Sequence, residues 1–291
     1  MFVKLQNHNV HLFEHNSLDG SNDTILIIPG AGMDHRLGQM IDLESLYSKY
    51  SVLSIDLPGH GLTSGNWLES IEEMSDLCID VISKLKINNL IVIGHSMGGL
   101  VGIDISSKIK NSLTVLMNTS YPLMVGGGLL DYAKGDLDQA TEFLTKYGVY
   151  NVPKTEVKSR LFGLMGAGFY AKQKGVINSP YGTKNITENP ERETNLYPLK
   201  KIFNQTQKEI LSIDLKACGK YVNKNINQIE GLKFIYGEKD KLARFNPEDE
   251  ILKKFNKDDI CIMENTGHFP YFERPEDLAK ILNKFISSIC I

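Results

Sequence analysis

A serine flanked by two glycines is the strongest candidate for nucleophilic chemistry in this sequence. Ser96 lies in LIVIGHSMGGL, between Gly94 and Gly98, directly after an apolar strand pattern and directly before the helical pattern GLVGIDISSKI. A GxSxG pentapeptide alone is weak evidence, but this context is typical of a nucleophile elbow, whose sharp turn holds the serine in a strained conformation. Glycines on both sides avoid collisions with the neighbouring strand and helix. The alternative is a glycine-rich strand-to-helix turn of another α/β fold.

Backbone amides for a developing oxyanion are predicted at two places. The first is Met97, at the N-terminus of the helix after the serine, where the helix dipole also favours negative charge. The second is the loop in IIPGAGMDH, where Gly30 and Gly32 let the backbone approach a substrate carbonyl. Ala31 is the predicted donor there, with Gly32 or Met33 as alternatives. A phosphate-binding loop is the competing interpretation, but the GxGxxG pattern is incomplete and no Gly-Lys-Ser/Thr follows.

A carboxylate and a histidine follow two later strand patterns, in the order that would complete a catalytic triad. Asp240 ends LKFIYGEKD, and His268 lies in ENTGHFPYFERPEDL, after the last strand pattern. Parallel strands present their carboxyl ends at one edge of the sheet, where both groups can meet Ser96. His268 is the predicted general base and Asp240 the acid that orients it. GEKD alone is ordinary turn chemistry, and Glu238 and Glu264 are the alternative acids.

The remaining histidines carry weaker predictions. His35 follows the oxyanion loop and is a candidate for the wall of an acyl pocket. The side chain of His95 is expected to point away from that of Ser96, because strand neighbours face opposite sides, and to pack inside the sheet. His60 is expected to shape a turn in DLPGHG. Three others lie on a predicted edge hairpin, where exposed polar residues need no special role: His8, His11 and His15.

Six short apolar runs rich in β-branched residues predict the strands that position these groups. Because they are apolar on both faces, they indicate a parallel sheet covered by helices on both sides. They alternate with helix patterns, one in LESLYSKY and one at 70–87 with a predicted Ser70–Glu73 capping box, which favours a doubly wound sheet. A β-hairpin at 2–15 is expected at the sheet edge. The runs are TILIIPG (24–30), YSVLSIDLPGHG (50–61), NNLIVIGHS (88–96), LTVLMNTS (113–120), LKFIYGEKD (232–240) and DICIMENTGH (259–268).

A long segment without strand patterns interrupts this alternation, which stops near Tyr121 and resumes near Gly231. Helical stretches punctuated by VGGG, NSPYG and NPE fill the segment, which predicts a helical cap over one edge of the sheet. Apolar cap residues, among them Phe162 and Met165, are candidates for a lid over a small acyl substrate, although such a stripe more often forms the cap's own core. Phe269, directly after the predicted base, is a further candidate for the substrate pocket.

Taken together, PGAGMDH, DLPGHG, GHSMGG, GEKD and TGHFPYFERPEDL resemble the capped α/β-hydrolase superfamily. The resemblance implies a doubly wound, mostly parallel sheet of about eight strands, with a core of 1–121 and 212–291 and a helical cap of 122–211. One feature departs from it: Pro29-Gly30 stands where the superfamily often has His-Gly, and that histidine usually helps to hold the oxyanion loop.

The resemblance also implies the catalytic residues: Ser96, Asp240 and His268 as the triad, with Ala31 and Met97 as backbone oxyanion donors. A serine nucleophile disfavours the dehalogenase and epoxide hydrolase activities of members that use an aspartate. The expected reaction is hydrolysis of a carboxylic ester or thioester of a small, partly apolar substrate through an acyl-enzyme, without a metal or organic cofactor. Alternatives that keep the triad are a carbon–carbon bond hydrolase, an acyltransferase and a lyase similar to a menaquinone-pathway synthase. A non-enzymatic ligand receptor is the alternative from another class.

Composition and charge exclude other kinds of protein. Hydrophobic residues make up 42% and charged residues 23% of the chain, which is the balance of a folded globular protein. A net charge of −3 gives no basic field for nucleic acid. No apolar run approaches the roughly 20 residues of a membrane span. No export signal is visible, and scattered cysteines without a CxxC pattern indicate reduced thiols rather than disulfides or a zinc site. We therefore expect a cytoplasmic protein, as a monomer or homodimer.

Overall fold

Eight strands form one sheet in the structure, a computed structural model that describes residues 1–18, 23–110, 113–153, 190–207, 209–249 and 251–288. The strands are β1 (Phe2–Lys4), β2 (Asn9–Glu14), β3 (Asp23–Ile28), β4 (Tyr50–Ile55), β5 (Leu90–His95), β6 (Leu113–Met117), β7 (Leu232–Gly237) and β8 (Ile260–Met263). Their order across the sheet is β1-β2-β4-β3-β5-β6-β7-β8. The β1–β2 hairpin and the β2–β4 pair are antiparallel, and all other neighbours are parallel. The predicted mostly parallel sheet and its edge hairpin are confirmed.

Helices cover both faces of this sheet. The described helices are α1 (Arg36–Gln39), α2 (Ile71–Lys84), α3 (Met97–Lys108), α4 (Gly127–Gly135), α5 (Leu137–Gly148), α6 (Pro190–Asn204), α7 (Ile210–Lys220), α8 (Pro270–Glu273) and α9 (Pro275–Ser287). Along β3, Ile25 and Ile27 pack into the apolar cluster that contains the buried face of α9. Leu26 and Ile28 point the other way, into the cluster formed with α2 and α3. Burial on both faces confirms the doubly wound architecture.

One of the two early helix predictions holds and the other is wrong. α2 begins after Ser70, whose hydroxyl accepts the Glu73 amide at 3.2 Å. The Glu73 carboxylate accepts the Glu69 amide at 2.8 Å, so the capping box is not reciprocal. The helix predicted from LESLYSKY is absent: the segment contains one 3-10 turn, Glu44–Leu46. Strand β4 begins at Tyr50, inside that segment, which shortens the stretch available for a helix.

Helices also fill the described parts of the chain between β6 and β7. α4 and α5 follow the end of β6, and α6 and α7 precede the start of β7, with no strand in the described part of this stretch. α7 crosses the predicted cap boundary at 211 as one continuous helix. The two predicted lid residues, Phe162 and Met165, lie outside the described residues.

The sequence predicts neither a membrane span nor a disulfide. Among the helices that the structure describes, none combines the length and the apolar character needed to cross a bilayer. Three described cysteines, Cys78, Cys218 and Cys261, carry free thiols. Burial raises the pKa of the Cys78 thiol to about 12, which keeps it protonated and a poor nucleophile.

Candidate active site

Ser96 lies in the turn between β5 and α3. Its φ of 51° and ψ of −114° fall in a region that residues with a side chain rarely adopt. The Ser96 amide donates to the Met117 carbonyl at 2.9 Å, which ties the turn to the neighbouring strand. A Cβ on Gly94 would overlap the Gly98 backbone, and a Cβ on Gly98 would overlap the Ile28 carbonyl. The two glycines therefore permit a strained serine at the carboxyl edge of the sheet.

His268 and Asp240 meet at the same edge. The Nδ1–H of His268 donates to Asp240 Oδ2 at 2.7 Å, and both side chains are buried. Asn118 Nδ2 donates to the same oxygen at 2.8 Å, while the Leu242 and Ala243 amides donate to Oδ1 at 2.7 and 3.0 Å. Burial alone would raise the pKa of Asp240, but the adjacent histidine and these donors lower it below its usual value. The charged carboxylate thus holds the imidazole with Nε2 available to accept a proton.

Ser96 and His268 line a common cavity of about 330 Å³. No hydrogen bond joins their side chains in the part of the chain that the structure describes, so they must approach before a proton passes between them. Gly30, Ala31 and Phe269 of the predicted site also line this cavity. Its wall is otherwise mainly apolar and includes Leu129, Phe143, Leu144, Phe203 and Leu215.

His95 was expected only to pack inside the sheet, but it also contacts the predicted base, His268. Its ring centroid lies 4.9 Å from that of His268, and its Nε2–H donates to the His268 carbonyl at 2.9 Å. Burial, and then the nearby His268, lower the pKa of His95 to about 3, which keeps it neutral. Strand alternation predicts which face a side chain takes, but not which loop crosses that face.

Glu273, which no sequence pattern singled out, holds the loop that carries His268. Its buried carboxylate accepts four backbone amides at 2.8–3.2 Å, those of Tyr150, Asn151, Gly267 and Phe269. The His268 amide in turn donates to the Gly148 carbonyl at 2.6 Å. These bonds fix the loop against the end of α5. The sequence carried no signal for them, because the partners on the α5 side lie 122 and 123 residues away.

Two buried side chains hold the predicted oxyanion loop. Asp214 Oδ2 accepts the Gly32 amide at 2.8 Å, and Thr206 Oγ1 donates to the Gly32 carbonyl at 2.6 Å. The Nε2–H of His60, expected only to shape a turn, donates to the same Asp214 oxygen at 2.8 Å. These contacts hold the loop although Pro29 stands where the superfamily often has a histidine.

The same contacts show which of the candidate oxyanion amides already have internal partners. The Gly32 amide is bound to Asp214, and the Met33 amide donates to a carbonyl within the loop at 3.1 Å. The Ala31 and Met97 amides donate to no acceptor among the described residues, and Ala31 lines the cavity. Gly32 does not line it, because its two backbone groups are turned towards internal partners. This corrects the assignment of Gly32 to the substrate pocket.

The structure also corrects the assignment of His35 to that pocket. Its Nδ1–H and its amide donate to the buried Asp56 carboxylate at 2.9 and 2.7 Å. His11, expected to be exposed, is buried and donates from Nδ1 to Asp56 Oδ2 at 2.7 Å. A buried carboxylate needs such donors, which explains why both imidazoles turn inward. The three groups lie within 4.8 Å of one another, but the Leu62 amide also binds the carboxylate, and we assign this cluster a structural role rather than a metal site.

Comparisons with known proteins agree with this fold. The "Putative esterase/lipase 1" of Mycoplasma pneumoniae is 20% identical over 260 residues, which cover 84% of this chain and 84% of that protein. The crystal structure of the enol-lactonase from Burkholderia xenovorans matches with a TM-score of 0.73 and 17% identity, covering 99% of this chain and 100% of that one. The model of the alpha/beta hydrolase family matches residues 25–281. The chain therefore belongs to the alpha/beta hydrolase family.

Proposed function

We propose that the chain is a serine hydrolase that cleaves a carboxylic ester or thioester through an acyl-enzyme. The observation that carries the proposal is the 2.7 Å hydrogen bond between His268 Nδ1 and Asp240 Oδ2. That bond selects the imidazole tautomer whose Nε2 can take the proton of Ser96, which lines the same cavity.

In the proposed reaction, Ser96 Oγ attacks the carbonyl carbon while its proton passes to His268 Nε2. The Ala31 and Met97 amides hold the negative charge that develops on the carbonyl oxygen. The imidazolium, stabilised by Asp240, protonates the departing alcohol or thiol, and the acyl group stays on the serine. A water molecule that loses its proton to the same imidazole then releases the acid.

A small, partly apolar acyl substrate suits the size and lining of the cavity. Its volume of about 330 Å³ lies in the range of small-molecule sites. We propose a core of 1–121 and 212–291 and a cap of 122–211. Cap residues such as Leu129 and Phe143 line the cavity, which supports a role of the cap in substrate selection. Two proteins similar to this chain, one an enol-lactonase and one named an esterase/lipase, also support an ester-type bond as the target.

The test combines turnover of p-nitrophenyl esters, from acetate to octanoate, with labelling by a fluorophosphonate. We expect turnover well above the spontaneous rate for the short esters, and covalent modification of Ser96 found by peptide mass spectrometry. Labelling without turnover of any ester would contradict the proposal and favour a carbon–carbon hydrolase, an acyltransferase, a lyase or a ligand receptor. Modification of a different serine would remove Ser96 as the nucleophile.

Asp214 is expected to act as a positioning residue for the oxyanion loop. Asp214→Asn keeps one acceptor oxygen but loses the charge that binds both the His60 imidazole and the Gly32 amide. We expect kcat to fall about 10-fold to 100-fold with little change in KM, because the Ala31 amide then meets the oxyanion poorly. Steady-state kinetics on a short p-nitrophenyl ester measure both constants.

Two further measurements separate positioning from a general loss of structure. Thr206→Val removes only the hydroxyl bound to the Gly32 carbonyl, so it should lower kcat less than Asp214→Asn does.

The pH dependence of stability is the second measurement. Burial alone lowers the pKa of His60, but Asp214 raises it above the ordinary value. The stability that this pair adds is therefore complete below about pH 6.5 and is lost as the pH rises through the raised pKa. Urea denaturation should show that dependence in the wild type and not in Asp214→Asn; an unchanged kcat in Asp214→Asn would contradict the positioning role.

A further inference from the structure

Among the residues that the structure describes, the wall of the cavity that contains Ser96 includes a lysine and an arginine but no acidic side chain. Lys241 and Arg244 both line it and are both exposed. Lys239, two residues earlier, pairs with Glu238. Neither Lys241 nor Arg244 forms an ion pair with an acid in the part of the chain that the structure describes. Among the described residues, the positive charge of this cavity therefore has no acidic partner.

These two cations stand on a turn that is fixed to the proposed catalytic acid. The intervening Leu242 and Ala243 amides donate to Asp240 Oδ1 at 2.7 and 3.0 Å. The Ser120 hydroxyl donates to the Arg244 carbonyl at 3.4 Å, which anchors the far end of the turn. The backbone under both cations is thus held at a set position relative to the triad. The charge belongs to the site and is not a feature of a loose surface loop.

The surroundings of Lys241 and Arg244 favour the binding of a negatively charged group. The chain as a whole carries a net charge of −3, so a cavity with two cations runs against the general field. The carboxylate of Asp240, which precedes Lys241, is buried and bound to His268. Apolar walls lower the local dielectric constant and strengthen the field of the cations inside the cavity. A substrate that covers them without offering a counter-charge would have to strip water from both, which is unfavourable.

We propose that the substrate is an ester that carries an anionic group, such as a carboxylate, away from the scissile carbonyl, and that Lys241 and Arg244 bind this group. The inference rests on the proposed esterase function and adds the chemical class of its substrate. An uncharged stretch between the two groups would lie against the apolar wall formed by Leu129, Phe143 and their neighbours. The anionic group belongs either to the acyl part or to the leaving group, and the test distinguishes the two.

Two pairs of chromogenic esters of matched shape test the proposal. In the first pair the charge lies on the acyl chain: p-nitrophenyl hemiadipate against the isosteric p-nitrophenyl 6-methylheptanoate. In the second it lies on the leaving group: 3-carboxy-4-nitrophenyl butyrate against its 3-carbamoyl analogue. We expect one charged ester to exceed its neutral partner about tenfold in kcat/KM at low ionic strength, and the preference to shrink in about 0.5 M salt.

Substitutions then assign the preference to the two cations. Lys241→Met and Arg244→Met should each lower the ratio of charged to neutral kcat/KM about threefold, and the double variant should abolish it. Lys257→Met is the matched control. This exposed lysine precedes β8, so it lies at the amino ends of the parallel strands, away from the carboxyl ends that carry the proposed triad. The proposal is overturned if neither charged ester is preferred, or if the preference persists in the double variant.

Binding separates this inference from the proposed function itself. Turnover of neutral esters without a charge preference would refute the anionic substrate alone. If no ester is hydrolysed, calorimetric titration of the Ser96→Ala protein with monomethyl adipate still decides the matter. Its Kd should rise about tenfold when Lys241→Met and Arg244→Met are added. An unchanged Kd, or no binding of monomethyl adipate at all, would refute the inference.

Discussion

Ser96→Ala should lower kcat on p-nitrophenyl butyrate about 10⁶-fold, because no other group takes over the attack on the carbonyl. Ser96→Gly should be equally inactive but more stable. The backbone of this residue, with φ 51° and ψ −114°, is strained for any residue with a Cβ and accessible to glycine. We expect the glycine variant to exceed the alanine variant by about 1 kcal/mol in the free energy of unfolding. Urea denaturation of both variants measures the difference.

The control for these two variants is Ser83→Ala, an exposed position on α2 that should change neither activity nor stability. Circular dichroism spectra that match the wild type would show that the inactive variants are folded. Activity in Ser96→Ala above about a thousandth of the wild-type rate would contradict the nucleophile assignment. A glycine variant less stable than the alanine variant would contradict strain at the elbow.

Asp240→Asn is expected to lower kcat about 10⁴-fold. The Leu242 and Ala243 amides already donate to Oδ1, so an asparagine would place its oxygen there and its NH₂ at the Oδ2 position. That NH₂ would face the Asn118 amide and His268 Nδ1, both of which are donors in the wild type. The imidazole would then adopt the tautomer with the proton on Nε2, which cannot accept one from the serine. Steady-state kinetics measure the loss, and ¹⁵N chemical shifts of the His268 ring report the tautomer.

The alternative acids provide the comparison. The Glu238 carboxylate accepts the Asn265 amide at 3.0 Å and pairs with Lys239, and Glu264 is exposed. Glu238→Gln and Glu264→Gln should therefore keep kcat within about twofold, as most surface substitutions do. A loss in Glu238→Gln comparable to that in Asp240→Asn would transfer the role of the acid to Glu238.

His268 is positioned from several directions before any substrate binds. Asp240 binds its ring, His95 binds its carbonyl, and Glu273 binds the amides on either side of it. A loop held in this way loses little freedom when the proposed reaction begins, and such preorganisation lowers the activation barrier. The alpha/beta hydrolase core thus supplies rigidity to a residue that lies on a loop.

Local patterns in the sequence were sufficient for the features that depend on neighbours along the chain. The apolar runs predicted the strands, because a strand buried on both faces must be apolar throughout. The glycines around Ser96 predicted its turn, because only residues without a Cβ fit that approach of strand and helix. The position of Ser96, Asp240 and His268, each just after a strand, predicted that they lie at one edge, since parallel strands end together.

The tertiary structure decided what depends on partners far apart in the chain. Among the three candidate amides of the oxyanion loop, Gly32 was removed by a contact with Asp214, 182 residues away. His35 was turned from the cavity by the buried Asp56, 21 residues away, and Glu273 ties the His268 loop to Tyr150, 123 residues away. Any histidine or carboxylate can form several such pairs, and its local sequence is the same in all of them. Which pair forms depends on the position of the buried partner, and that position exists only once the chain has folded.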